Sequence, residues 1–259
     1  MIDIGINFTD KAFSKDLPEC MSAAHAAGVT RMIVTGTDIK GSRQAVQLAE
    51  TYPKSLLSTA GVHPHHAKDW RPSDYETLKK LAQSDKVVAI GEAGLDFNRD
   101  FSPRAQQEAV FQFQIHLAIE LNLPLFLHER DAHKRQLMIL QEYSNDLPNT
   151  VIHCFTGDKT ALFNYLDLGC YIGITGWVCD ERRGKVLQEL VKQIPRDRLM
   201  IETDGPYLLP RNIKPKPKSR RNESKYLPHI VNTIAQLREE TVAAITAQTT
   251  TNSRRFFSI

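Results

Sequence analysis

Short apolar runs alternate along this chain with longer stretches of helical spacing. Eight runs rich in β-branched residues begin near Ile2, Arg31, Leu56, Val87, Leu123, Thr150, Tyr171 and Leu199. A run of about four to eight apolar residues is the pattern of a buried strand. The clearest helical stretch is 102–121, where Val110, Phe113, Leu117 and Leu121 fall on one predicted face. Ser102 followed by Pro103 reads as an N-cap with proline at the first helical position. Residues 44–52, 78–82, 136–143 and 186–194 show weaker versions of the same spacing. Strands alternating with helices predict a parallel sheet, and eight such units predict a closed TIM (β/α)8 barrel. Two more helices, about 226–239 and 240–256, predict the eighth barrel helix and one extra C-terminal helix. The competing open, doubly wound sheet carries a glycine-rich turn after its first strand. Here that strand leads into Asn7-Phe8-Thr9-Asp10. No linker divides the chain, so one barrel domain over 1–259 is expected.

The strand pattern gives meaning to four polar residues. Glu92, His128, His153 and Asp204 each fall at or just after the end of an apolar run, namely 87–90, 123–127, 150–152 and 199–201. The carboxyl ends of barrel strands are where α/β barrels place their chemistry. Carboxylate oxygens with imidazole nitrogens suit Mg2+, Mn2+ or Zn2+. One such residue alone could cap a helix or pair with a lysine; four at corresponding strand ends point to a metal-dependent hydrolase. His63 ends the third run within Gly61-Val62-His63-Pro64-His65-His66, placed to touch metal or an anionic oxygen, with His65 beside it. Arg130 follows His128 closely and could hold an anionic oxygen bidentately. Phe97, Trp177 and Tyr207 come shortly after strand ends, where aromatics can stack on bases or simply pack over the barrel mouth.

Composition changes this picture little. Over 259 residues the formal charge is +3, too mild to argue for nucleic acid by itself, and 41% hydrophobic with 24% charged residues is ordinary for a globule. The charge is unevenly spread, however. Residues 211–221 hold six basic residues and no acidic ones, with Pro215 and Pro217 keeping the segment out of helix and strand. Close behind Asp204, this loop is expected on the ligand face, as a contact for a polyanion. Cys20, Cys154, Cys170 and Cys179 form no C-x-x-C pair, so reduced thiols are expected rather than a disulfide framework. No signal segment or membrane-spanning run is evident, which predicts a cytoplasmic protein without membrane contact; a monomer is expected.

Taken together, several segments resemble the TatD family of metal-dependent deoxyribonucleases. They are Gly61-Val62-His63-Pro64, Gly91-Glu92-Ala93-Gly94-Leu95-Asp96, His128-Glu129-Arg130-Asp131-Ala132, Ile152-His153-Cys154-Phe155-Thr156-Gly157, Glu202-Thr203-Asp204-Gly205-Pro206-Tyr207-Leu208 and Arg221-Asn222-Glu223. The resemblance implies a barrel of the amidohydrolase-like type, with Glu92, His128, His153 and Asp204 on divalent metal. It also implies Mg2+-dependent hydrolysis of DNA from a 3′ end, with single-stranded DNA as substrate and RNA as a second one. It adds Arg221 and Asn222 to the substrate contacts, beside His63, His65, Arg130 and Trp177. One departure stands out. Most of the family begins with a His-x-His pair after the first strand, and here those positions are Gly5 and Asn7. The metal position built on that pair should be weakened, while the one on Glu92, His128 and His153 should survive. Gly205 in place of alanine and Ser224 in place of proline are smaller departures.

The expected chemistry is a phosphodiester attacked by water. Asp204, His63 and Glu92 form the catalytic set, with Asp204 taking the water's proton and His63 and Arg130 neutralising the phosphoryl oxygens. The same metal chemistry also cleaves esters and amides, so an aminoacyl-tRNA deacylase is the alternative. A non-catalytic nucleic-acid-binding protein is a third reading, opposed by the four retained ligands.

Overall fold

The computed structural model describes residues 1–259 and forms a (β/α)8 barrel. The strands are β1 (Ile2–Ile6), β2 (Arg31–Val34), β3 (Leu56–Ala60), β4 (Val87–Asp96), β5 (Leu125–Arg130), β6 (Thr150–Ile152), β7 (Tyr171–Ile174) and β8 (Leu199–Ile201). They are parallel and lie in chain order around the sheet. The helices are α1 (Leu17–Ala26), α2 (Ile39–Thr51), α3 (Asp74–Ala82), α4 (Arg104–Leu121), α5 (His133–Glu142), α6 (Lys159–Asp167), α7 (Lys185–Leu190), α8 (Leu227–Arg238) and α9 (Val242–Phe257). One apolar core lies between strands and helices. A second draws a side chain from every strand, including Ile4, Ile33, Val88, Phe126 and Met200, and is joined by Phe256 and Phe257 of α9. The extra helix thus seals the barrel end opposite the mouth.

The run predicted to end at Ile90 continues as β4 through Asp96. Pairing with β5 shifts register between Ile90 and Ala93. There the Glu92 amide reaches across to the Gly36 carbonyl at 2.7 Å. Gly91 permits this: its φ of +149° disfavours other residues, and a Cβ there would overlap the Phe126 carbonyl. The α4 prediction needs two corrections. Ser102 does not cap α4, because its hydroxyl accepts from the Lys68 amide and donates to the His65 carbonyl, each at 3.0 Å. The buried face runs through Gln107, Val110, Phe111, Gln114 and Leu117, while Phe113 is 45% exposed and stacks on Trp70 at the surface. The two glutamines are buried because each serves backbone: Gln107 that of Asp96 and Ser102, Gln114 that of Val62 and Val110. An apolar count along the helix misses that use.

The seam between β8 and β1 bears directly on the site. It closes through the bridge Ile6–Gly205, the Asn7 amide to the Gly205 carbonyl at 2.8 Å, and the Asp204 amide to the Gly5 carbonyl at 2.9 Å. Asp3, fully buried, reinforces it by accepting from the Thr203 amide and from the Thr203 and Ser224 hydroxyls. Burial pushes its carboxyl from 3.8 up to about 6, outweighing these hydrogen bonds. A folded-state pKa above the unfolded one means that the folded form holds the extra proton, so stability is lost as pH rises from about 4 through 6. The difference amounts to roughly 3 kcal/mol. Asp3→Asn should therefore gain on the wild type across that window. Urea melts of both proteins at pH 4, 5 and 6 check this; parallel curves would refute it.

Candidate metal centre

The strand ends bring three imidazoles onto one carboxylate. Glu92 Oε1 lies 2.8 Å from His153 Nε2, 3.1 Å from His128 Nδ1 and 3.3 Å from His63 Nε2. Glu92 projects from β4 and His128 from β5, while His63 lies three residues beyond β3 and His153 directly follows β6. Asp204 follows β8 in left-handed backbone at φ +54° and lines the same cavity of about 620 Å3. All four predicted ligands are thus at one mouth, together with His63, His65, Arg130 and Trp177.

Two carboxylates that were not singled out as site residues organise these imidazoles. Asp96 Oδ2 meets His65 Nε2 at 2.7 Å and His128 Nε2 at 3.3 Å, and its Oδ1 accepts from the Asn98 and Arg99 amides. Glu202, wholly buried, meets His153 Nδ1 at 3.2 Å and accepts from the Cys154 amide at 2.6 Å. The sequence held a signal for Asp96: residues two apart on a strand share a face, which carries Glu92 through Gly94 to Asp96. Gly5 also finds its reason here: a Cβ on it would overlap the Glu202 carboxylate. Asn7 donates to Asp204 Oδ1 at 2.9 Å and to the Gly205 carbonyl at 3.2 Å. The missing His-x-His pair is thus replaced by space for Glu202 and a clamp on Asp204.

The electrostatics follow from this packing. Burial opposes charge on Glu92, yet His153 and His63 hold its carboxyl well below the ordinary value. Burial likewise opposes, without reversing, the raising of His128 by Asp96 and Glu92 and of His153 by Glu92 and Glu202. Each of those two rings lies between two carboxylates and satisfies both only as an imidazolium. The protons facing Glu92 are the ones a divalent cation could replace, and those on Asp96 and Glu202 would stay and orient the rings. The donor set fits a cation: ligand atoms of His63, Glu92 and His128 lie within 4.8 Å of one another, and His153 meets the same Glu92 oxygen. His63 differs. Its Nδ1 accepts from the His65 amide at 3.1 Å, and burial lowers its pKa to about 4, so it is a neutral ring with its proton on Nε2. His63 lies within reach of Glu92 and His128 as a possible ligand group, but its tautomer suits a donor better. Burial, with Glu92 and Glu202 nearby, pushes Asp204 up to about 7 against the pull of His153.

Two predicted substrate contacts lie elsewhere. Arg221 grips Asp16 with both terminal nitrogens, at 2.8 and 2.7 Å, and donates to the Ala12 carbonyl. Asn222 is fully buried and donates to the Thr203 carbonyl at 2.8 Å. Both hold the loop after β8 in place rather than face the cavity. Arg130 does reach the cavity, bonded to the Thr156 hydroxyl at 3.0 Å and 5.9 Å from the Trp177 ring.

A parallel barrel with imidazoles and carboxylates gathered at its carboxyl-end mouth is the architecture of the amidohydrolase-type hydrolases. Within that class, residues 2–258 match the family described as TatD related DNase, and the chain belongs to it. Over 259 residues it is 52% identical to a protein of Klebsiella pneumoniae named 3'-5' ssDNA/RNA exonuclease TatD, covering all of this chain and 98% of that one. A protein of the same name from Salmonella typhimurium is 51% identical, covering 100% and 99%. Among solved structures, the TatD homolog YJJV from Escherichia coli superposes with a TM-score of 0.91 at 28% identity, covering 100% of this chain and 98% of that one. A TatD family hydrolase from Entamoeba histolytica gives 0.91 at 26%, covering 99% and 97%.

Proposed function

We propose that this protein is a divalent-cation-dependent nuclease that removes nucleotides from the 3′ end of single-stranded DNA, and of RNA. The observation that carries this is the convergence of His128 and His153 on Glu92 at the barrel mouth, in a full-length relative of proteins named as exonucleases. Mg2+ is the proposed ion, and the same donors accept Mn2+ or Zn2+. When bound, the cation would polarise the phosphodiester and acidify water. Asp204, clamped by Asn7, takes a proton from the attacking water. The new bond joins that water's oxygen to phosphorus. The bond from phosphorus to the upstream 3′ oxygen breaks, and solvent protonates that oxygen. The products are a 5′-nucleotide and a strand one residue shorter. His63 Nε2–H and the Arg130 guanidinium donate to the non-bridging oxygens. His65 lines the wall against which the terminal nucleotide rests.

An oligonucleotide labelled at its 5′ end should shorten stepwise in Mg2+ and remain intact in EDTA. Cleavage of an aminoacyl ester with the oligonucleotide untouched would favour the deacylase reading instead. The loop over 211–221 adds non-specific affinity. Arg211 is tied to Asp180 and Glu181, whereas Lys214, Lys216, Lys218 and Arg220 are exposed and make no ion pair. Neutralising Lys216, Lys218 and Arg220 should flatten the slope of log affinity against log salt by about two, at roughly 0.7 per contact for single strands. An unchanged slope removes the loop from the binding surface.

A further inference from the structure

A second cavity, of about 740 Å3, opens beside the metal centre and shares with it Glu129, Arg130, Thr156 and Trp177. It runs outward between the loops after β4 and β5 on one side and after β6 and β7 on the other. We propose that this groove is the track for the nucleotides upstream of the scissile bond, a subsite that makes the enzyme sense strand length. The inference rests on the nuclease reading and adds the route of the strand to it.

The charges favour this direction. At the other end the metal-centre cavity carries Asp10 and Asp38, which accept from the Ala12 and Gly41 amides, and a single cation, Lys40. The groove instead offers Arg130 and Lys134, neither engaged in an ion pair, and the start of α5, which has no side-chain cap. Its acidic residues are turned to local partners: Glu129 accepts from the Ala132 amide, Asp131 from the Asn98 amide group and Asp158 from the Ala161 amide. Trp177 forms the ridge between the two cavities. Arg183 backs its ring at 4.5 Å, itself anchored on buried Asp180. A strand passing from the catalytic cavity into the groove must cross this indole, and Phe97 lines the far side. Cations alternating with aromatic faces are what a single strand needs, and they serve any base sequence. A volume of this size takes roughly two nucleotides, near the upper part of the usual range for ligand cavities.

The test compares an octamer and a dinucleotide of thymidylate in Mg2+, using wild type, Trp177→Ala, Lys134→Glu and, as control, Lys54→Glu. Lys54 is exposed just before β3, at the barrel end away from the mouth, and makes the same charge change. The wild type should show a lower KM for the octamer. Trp177→Ala and Lys134→Glu should each raise the octamer KM about tenfold more than the dinucleotide KM, and Lys54→Glu should match wild type. A KM ratio the same in all four proteins overturns the groove while leaving the nuclease reading intact. Octamer affinity, read by fluorescence anisotropy, keeps the two separable if no strand is cut: the reaction is then wrong, and the groove stands only if Lys134→Glu weakens binding. Lys134 is exposed, so its variant is expected to fold.

Discussion

Asp204→Asn is expected to lower kcat on single-stranded DNA by about 10²–10⁴-fold, the usual contribution of a positioned general base. KM should change little, because the amide keeps the shape of the carboxylate and its contact with Asn7. The carboxylate is suited to the task. Burial and the neighbouring Glu92 and Glu202 raise it to about 7, so it gains basicity near neutral pH. Its place is fixed by Asn7 Nδ2 at 2.9 Å and by the backbone seam to Gly5. A bound cation would pull the pKa down again, so the acid limb of the wild-type rate should lie below pH 7 and should vanish in the variant. Asn7→Ala, which frees the carboxylate without removing it, should cost less than Asp204→Asn. A wild-type kcat in Asp204→Asn would remove the residue from proton transfer.

The architecture was legible because strand and helix periodicities are local and repeat eight times. The beginnings of seven of the eight strands coincide with the apolar runs, and β5 starts two residues later than its run. The four candidate ligands were legible for a related reason: ionisable side chains directly after apolar runs are conspicuous. What escaped notice depends on contacts across the barrel. Nothing local says that Arg221 is taken up by Asp16, some two hundred residues away, or that Asn222 bonds the Thr203 carbonyl behind the mouth. Motif membership alone made both look like substrate contacts. Gly5 likewise has a role that only the barrel shows: its missing side chain makes room for the carboxylate that meets His153.

That second layer of carboxylates sets the scale for the remaining prediction, Glu92→Gln. Here the anion on which three imidazoles converge is lost while its shape is kept. Nuclease activity should fall by about 10³-fold or more, since several kcal/mol of charge stabilisation leave with the ion. Mg2+ or Mn2+ binding, measured by calorimetry, should disappear. Glu202→Gln and Asp96→Asn should be milder, weakening metal affinity by about 10–100-fold, because they disturb only the orientation of His153 and His128. The ordering matters more than any single value. If Glu92 were merely a structural anchor for buried histidines, the three variants would lose thermal stability to similar extents and retain metal binding. If it is the shared ligand, Glu92→Gln abolishes binding at a melting temperature at which the folded protein is still measurable, and the other two respond to added metal. Retention of wild-type metal affinity in Glu92→Gln would move the ion elsewhere and undo the assignment of His128 and His153 with it.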